Sequence, residues 1–172
     1  FMRQVIGPGR VDQQTLHVKR GKTARACYRE GQQAVFIHPD EPIKTVVHEA
    51  AHWLEYRDPK VLQAAVDFWT RRTAGERFQR LQVLQPGMRY GATEKTKKDR
   101  FIDPYMGKVY YTNPRLKRIS FNEPHDHPVK DTIRATELVS MGLELLYDDA
   151  LSFLDKDPEH FAIIWKVLTG ND

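Results

Sequence analysis

The stretch His48-Glu49-Ala50-Ala51-His52 decides how this chain is interpreted, because it matches the pattern H-E-x-x-H. Residues four apart lie on one face of an α-helix, so both imidazoles can bind the same metal ion. The glutamate beside the first histidine can then accept a proton from a water at that metal. The motif therefore predicts a helix that carries two metal ligands, His48 and His52, and a general base, Glu49.

The residues around the motif predict a helix of sufficient length. Asp40 and Pro42 are typical of a helix start, as a capping side chain and a first-turn proline. Asp58 predicts the end of the helix, since it precedes Pro59 and a residue before proline avoids helical backbone. Between these limits, apolar residues recur at helical spacing, at Ile43, Val46, Val47, Ala50 and Leu54.

Length and composition set the broad class. The 172 residues are enough for one domain with a substantial core. We expect residues 1–172 to form a single domain that is part of a larger protein, because Phe1 precedes Met2. We find no membrane-spanning run and no signal-peptide core, so the expected location is either cytoplasmic or secreted or injected. Cys27 is the single cysteine, which excludes an internal disulfide and a multi-cysteine zinc site.

The remaining segments predict an α+β fold. Residues 24–28 and 34–37 flank a turn at Gly31 and indicate a hairpin. Helices are expected at about 59–73, from 131 to about 154, and from Pro158 to Gly170. Residues 82–128 are predicted to be irregular or lid-like, since so long a loop in a compact domain is usually functional or mobile. We therefore expect a small N-terminal sheet or hairpin packed on the motif helix, followed by further C-terminal helices.

A catalytic zinc site usually has three protein ligands, and two residues compete for the third place. Asp58 follows the motif at the position of the last metzincin ligand, but Glu55 stands where that family needs glycine. Asp58 can also serve simply as a helix cap. Glu137 is the favoured candidate, on a predicted second helix where it shares a face with Ser140 and Glu144. On that face, Glu144 is a candidate for orienting a ligand by a hydrogen bond.

A hydrolase of this kind also needs a hydrogen-bond donor that stabilises the negatively charged oxygen of the tetrahedral intermediate. We predict Tyr110 and His125 for this role, although Tyr105 and Tyr111 are equivalent to Tyr110 on sequence grounds. The sequence does not choose between them.

Positive charge is unevenly distributed in a chain whose net charge is +4. No nucleic-acid-binding motif accompanies the basic residues, so we do not predict nucleic acid as a partner, and we interpret these residues as a solvated surface. The basic residues concerned are Arg71, Arg72, Arg77, Arg80, Lys95, Lys97, Lys98 and Arg100.

Residues 45–56, the helix that ends at Arg71-Arg72-Thr73, and residues 135–144 resemble the zincin-type domain of some phage head-morphogenesis proteins. Related modules occur in bacterial polymorphic toxins and secreted effectors. The resemblance implies a gluzincin-like zinc metallopeptidase with His48, His52 and Glu137 as ligands of Zn²⁺ and Glu49 as the base. The chain departs from the family pattern at Met141, where an acidic residue is expected. We therefore expect Glu144 or Glu55 to orient the histidines.

The partners that this resemblance implies are a protein or peptide substrate, and an immunity or inhibitor protein or a larger parent chain. A different class of function is also consistent with the sequence. A phage-type module could keep zinc as a structural staple and serve assembly without catalysis, although the presence of Glu49 argues against a purely structural site.

Overall fold

The computed structural model describes residues 16–21, 25–112 and 132–170. Over these residues the chain is a mixed α+β protein, as the sequence predicts. None of the helices in these ranges has the length and apolar character that crossing a membrane requires. The helices are α1 (Ile43–Arg57), α2 (Pro59–Arg72), α3 (Leu81–Leu84), α4 (Leu138–Lys156) and α5 (Pro158–Thr169). The strands are β1 (His17–Arg20), β2 (Cys27–Arg29), β3 (Ala34–Ile37), β4 (Gln79–Arg80), β5 (Lys95–Thr96), β6 (Val109–Tyr111) and β7 (Ile133–Thr136).

Two compact units make up the described chain, and the first runs to Val61 and resumes at Val139. Its sheet has the order β1-β3-β2, with β1 parallel and β2 antiparallel to β3. The predicted hairpin is thereby confirmed, and a 3₁₀ turn at Glu30–Gln32 closes it. Helix α1 contacts β2 and β3. Because β2 lies at the edge of this sheet, its outer side is available to α1.

The limits of α1 are partly as predicted. The helix begins at Ile43 without a side-chain cap, so the predicted capping by Asp40 is wrong. The Asp40 carboxylate instead lies 3.6 Å from Nδ1 of His38. Asp58 ends the helix as predicted, and its Oδ1 accepts the backbone N–H of Lys60 at 3.0 Å in the first turn of α2. Asp58 therefore has the capping role that the sequence offered as the alternative to metal binding.

Helices α4 and α5 complete the first unit. Asp157 caps α5 by accepting the backbone N–H of His160 at 3.1 Å, and Gly170 ends the helix with a left-handed φ of 69°. Both limits agree with the prediction. Gly142 allows close contact between the two helices, because a Cβ there would lie 2.4 Å from Cγ1 of Ile164. A bend in α4 occurs at Asp149, whose backbone is not helical (φ −160°, ψ 92°).

The second unit comprises residues 62–138. Short elements interrupt the segment that we predicted to be irregular: α3, β5, a 3₁₀ turn at Pro104–Gly107, and β6. The indole N–H of Trp69 on α2 donates to the backbone carbonyl of Gly107 at 2.8 Å and ties this turn to the helix. Strand β6 pairs antiparallel with β7, with an irregularity between Tyr110 and Tyr111.

The long helix predicted from residue 131 begins only at Leu138, which corrects the sequence interpretation. Residues Ile133–Thr136 instead form β7, because the β-branched Ile133 and Thr136 are buried in the pairing with β6. The Thr136 hydroxyl then accepts the backbone N–H of Leu138 at 3.2 Å. Glu137 therefore lies at the junction of strand and helix rather than on a helix.

Candidate metal centre

Three residues that the sequence proposed as ligands are brought together. His48, His52 and Glu137 each offer one ligand atom, and these atoms lie within 4.8 Å of one another. The two imidazole rings are 5.1 Å apart between centroids and almost perpendicular, at 81°. Two imidazoles and a carboxylate are a donor set that several divalent metals accept. The cluster could therefore hold a metal ion.

His48 is held by a carboxylate from α4. Its Nδ1 lies 2.9 Å from Oε1 of Glu144, and both side chains are largely buried. A carboxylate at Nδ1 favours the tautomer that carries its proton there, which places the lone pair on Nε2. Metal-bound histidines almost always have such a partner on the second ring nitrogen.

His52 has the same arrangement within α1 itself. Its Nδ1 lies 3.5 Å from Oε2 of Glu55, three residues later on the helix. The Glu55 side chain is 0% exposed, so this carboxylate has been withdrawn from water. Burying a carboxylate is costly unless hydrogen bonds and a positive charge compensate it. Both histidines therefore have the carboxylate partner that metal-bound histidines usually have. The two carboxylates belong to Glu144 and Glu55, the residues that the sequence offered for orienting the histidines.

Glu49 is buried on α1 and faces the sheet. Its Oε2 accepts the backbone N–H of Tyr28 at 2.6 Å. Tyr28 pairs with Val35 of β3, and its N–H is directed to the outer side of β2. The edge strand therefore fixes one oxygen of the carboxylate that the motif predicts as the general base.

Glu137 is also buried, and its partners come from the turn and strand around β6. Tyr110 donates its hydroxyl to Oε1 of Glu137 at 2.5 Å, and Nζ of Lys108 lies 3.9 Å from the same oxygen. The backbone N–H of Glu137 donates to the carbonyl of Lys108 at 3.1 Å. Burial and the neighbouring carboxylate of Glu137 raise the pKa of Tyr110 far above its usual value. Tyr110 therefore keeps its proton and donates a hydrogen bond to Glu137.

The other candidates for the oxyanion role differ in their surroundings. The Tyr105 hydroxyl accepts from Nζ of Lys108 at 3.0 Å. Tyr111 is buried on β6, and its hydroxyl has no hydrogen-bond partner in the described part of the chain. His125 lies outside the described residues. The oxyanion roles of Tyr110 and His125 stay predictions, and the observed contact of Tyr110 is with a candidate ligand.

Lys108 is the site residue that sequence reasoning missed. It is 7% exposed, and its ammonium donates to Oε1 of Glu94 at 2.7 Å. The sequence indicates only that Lys108 lies two residues before Tyr110, so its side chain points to the same face of a strand. That spacing was the one available signal.

Part of the basic cluster has internal partners in the second unit. Arg72 Nη2 lies 2.5 Å from a carboxylate oxygen of Asp99. Lys97 is 2% exposed and donates to the backbone carbonyl of Thr73 at 3.3 Å. These two charges stabilise the packing around α2, and they are not displayed on the surface for nucleic acid.

Comparisons of the chain with protein-family models, with curated proteins and with solved structures found no match. The chemistry of the centre therefore has to be judged from its own residues.

Proposed function

We propose that this chain is a zincin-like, zinc-dependent metallopeptidase in which His48, His52 and Glu137 hold the metal. The observation that carries the proposal is the convergence of their three ligand atoms within 4.8 Å. The carboxylates at Nδ1 of both histidines support it, because a merely packed histidine does not need an ionised partner. A phage-derived module or a secreted effector is the setting that the sequence resemblance suggests.

Glu49 supplies the proton chemistry in this proposal. Zinc, when bound, polarises the scissile carbonyl and lowers the pKa of a water toward about 7. The Glu49 carboxylate accepts the proton of the attacking water and passes it to the leaving amine. The backbone N–H of Tyr28 holds Oε2 of Glu49 in place and so limits the rotation of the base.

The protein or peptide substrate is the class that the sequence resemblance implies. In the described sheet β2 pairs with β3 on one side, and its other side faces Glu49, which accepts the N–H of Tyr28. A peptide that added to this edge by main-chain hydrogen bonds would have to compete with Glu49 for that N–H.

Substituting the base tests this function. We expect Glu49→Gln to bind zinc like the parent chain and to lose cleavage of an unfolded protein such as reduced casein by about 10²–10⁴-fold. The control is Glu159→Gln, an exposed carboxylate in the first turn of α5, which should leave cleavage unchanged. Zinc-loaded Glu49→Gln that still cleaves at the parent rate would refute the mechanism. Zinc binding without cleavage by the parent chain would favour the structural staple.

A further inference from the structure

A hydrogen-bond donor and a cation from the β6 region lie near the same oxygen of Glu137. The Tyr110 hydroxyl donates to Oε1 at 2.5 Å, and the ammonium of Lys108 lies 3.9 Å from that atom. The Glu137 side chain is 0% exposed. The H-E-x-x-H motif predicts neither contact, and neither Tyr110 nor Lys108 supplies a ligand atom of the cluster.

Lys108 is itself held firmly. Its Nζ donates to Glu94 at 2.7 Å and to the hydroxyl of Tyr105 at 3.0 Å. The ammonium also lies 4.6 Å from the centre of the Tyr105 ring and 4.8 Å from that of Tyr110. Cations at these distances over aromatic rings are attracted to them. The buried charge therefore has a fixed position relative to Glu137.

The contacts at Oε1 are of the kind that orient a carboxylate ligand. A carboxylate that binds a metal through one oxygen is usually hydrogen-bonded through the other, which fixes its orientation. Tyr110 donates to Oε1 of Glu137, and the Lys108 ammonium lies within ion-pair distance of the same atom. Glu94 lies closer to that ammonium, at 2.7 Å, so Lys108 does not need Glu137 as its counter-ion.

We propose that Tyr110 and Lys108 are positioning residues that hold Glu137 through Oε1 in the orientation in which its carboxylate binds zinc. The inference rests on the proposed metal centre but not on its peptidase activity. It assigns Tyr110 a role in metal affinity in place of the oxyanion role that the sequence predicts.

Zinc affinity of the full chain, measured by competition with a chromophoric chelator, tests the inference. We expect Tyr110→Phe and Lys108→Met each to weaken zinc binding by about 10–100-fold. Tyr111→Phe and Lys97→Met are the matched controls, since both residues are buried in the same unit. The Tyr111 hydroxyl has no hydrogen-bond partner in the described chain, and Lys97 donates to the carbonyl of Thr73. The controls should bind zinc within about twofold of the parent chain, because the contacts described for them involve none of the three proposed ligands.

A double-mutant cycle separates positioning from a general structural effect. If Tyr110 acts through Glu137, then Tyr110→Phe should cost little further affinity in a Glu137→Gln background. Equal losses in both backgrounds would overturn the inference, and so would parent-like affinity of Tyr110→Phe. Tyr110→Phe removes a single hydroxyl, so it decides the question even where Lys108→Met fails to fold. If Glu137→Gln weakens zinc binding but Tyr110→Phe does not, this inference alone is overturned. If the parent chain does not bind zinc, the proposed function is overturned as well.

Discussion

At the scale of residues, the candidate centre is built from imidazole–carboxylate pairs. His48 is paired with Glu144 on α4, and His52 with Glu55 on its own helix. Each carboxylate fixes the tautomer and the rotation of a ring, so the two rings are prepared for a metal before it binds. Preparing a ligand in this way lowers the ordering cost of binding.

The pair within α1 gives the sharper test because Glu55 is fully buried. Replacing Glu55 with Gln keeps its shape but removes its charge, so it should hold His52 less strongly. We expect Glu55→Gln to weaken zinc binding by about 10–100-fold, measured by chelator competition. Glu159→Gln is the matched surface control. Parent-like zinc affinity of a folded Glu55→Gln variant would show that the pairing with His52 is incidental.

How far these residues could be predicted depends on their distance along the chain. The spacing of the motif predicts His48, Glu49 and His52, because helical periodicity is a local property. Glu137 was chosen for its acidic surroundings, and the structure brings it to the histidines although the helix predicted for it is wrong there. Lys108 was missed, since its one signal, a spacing of two residues from Tyr110, is common to many lysines that stand beside a short strand.

At the scale of elements, the junction between β7 and α4 positions Glu137. Apolar spacing predicts one continuous helix through residues 131–154, but Ile133–Thr136 form β7, which pairs with β6 at three residues, Ile133, Ala135 and Thr136. Pairing with a strand distant in sequence overrides local periodicity, which is why the sequence could not show where the helix begins. The hairpin before α1 was predictable, because its turn and both strands are close in sequence.

Thr136 is the residue that marks this junction. Its hydroxyl accepts the N–H of Leu138, and the side chain is fully buried. We expect Thr136→Val to lower the free energy of unfolding by about 1 kcal/mol, because the first turn of α4 loses a capping acceptor. Urea denaturation measures this loss. Thr70→Val, which removes a hydroxyl bonded to a carbonyl within α2, should be nearly neutral. Equal stability of the two variants would contradict the capping role.

At the scale of the whole molecule, several acidic side chains are buried in the described part of the chain. Glu49, Glu55 and Glu137 are all buried carboxylates. Each buried carboxylate loses its hydration, a cost that hydrogen bonds and a neighbouring cation offset. A divalent metal held by the two histidines and Glu137 supplies that positive charge in the proposed function.

The metal content of the purified chain tests this account most directly. We expect about one equivalent of zinc per chain, as one tetrahedral site requires, measured by inductively coupled plasma mass spectrometry. His48→Ala should lose that zinc, whereas His38→Ala should keep it, because His38 is half-exposed and lies outside the cluster. Zinc that is absent from the parent chain after exposure to the metal, or retained in full by His48→Ala, would contradict the central claim.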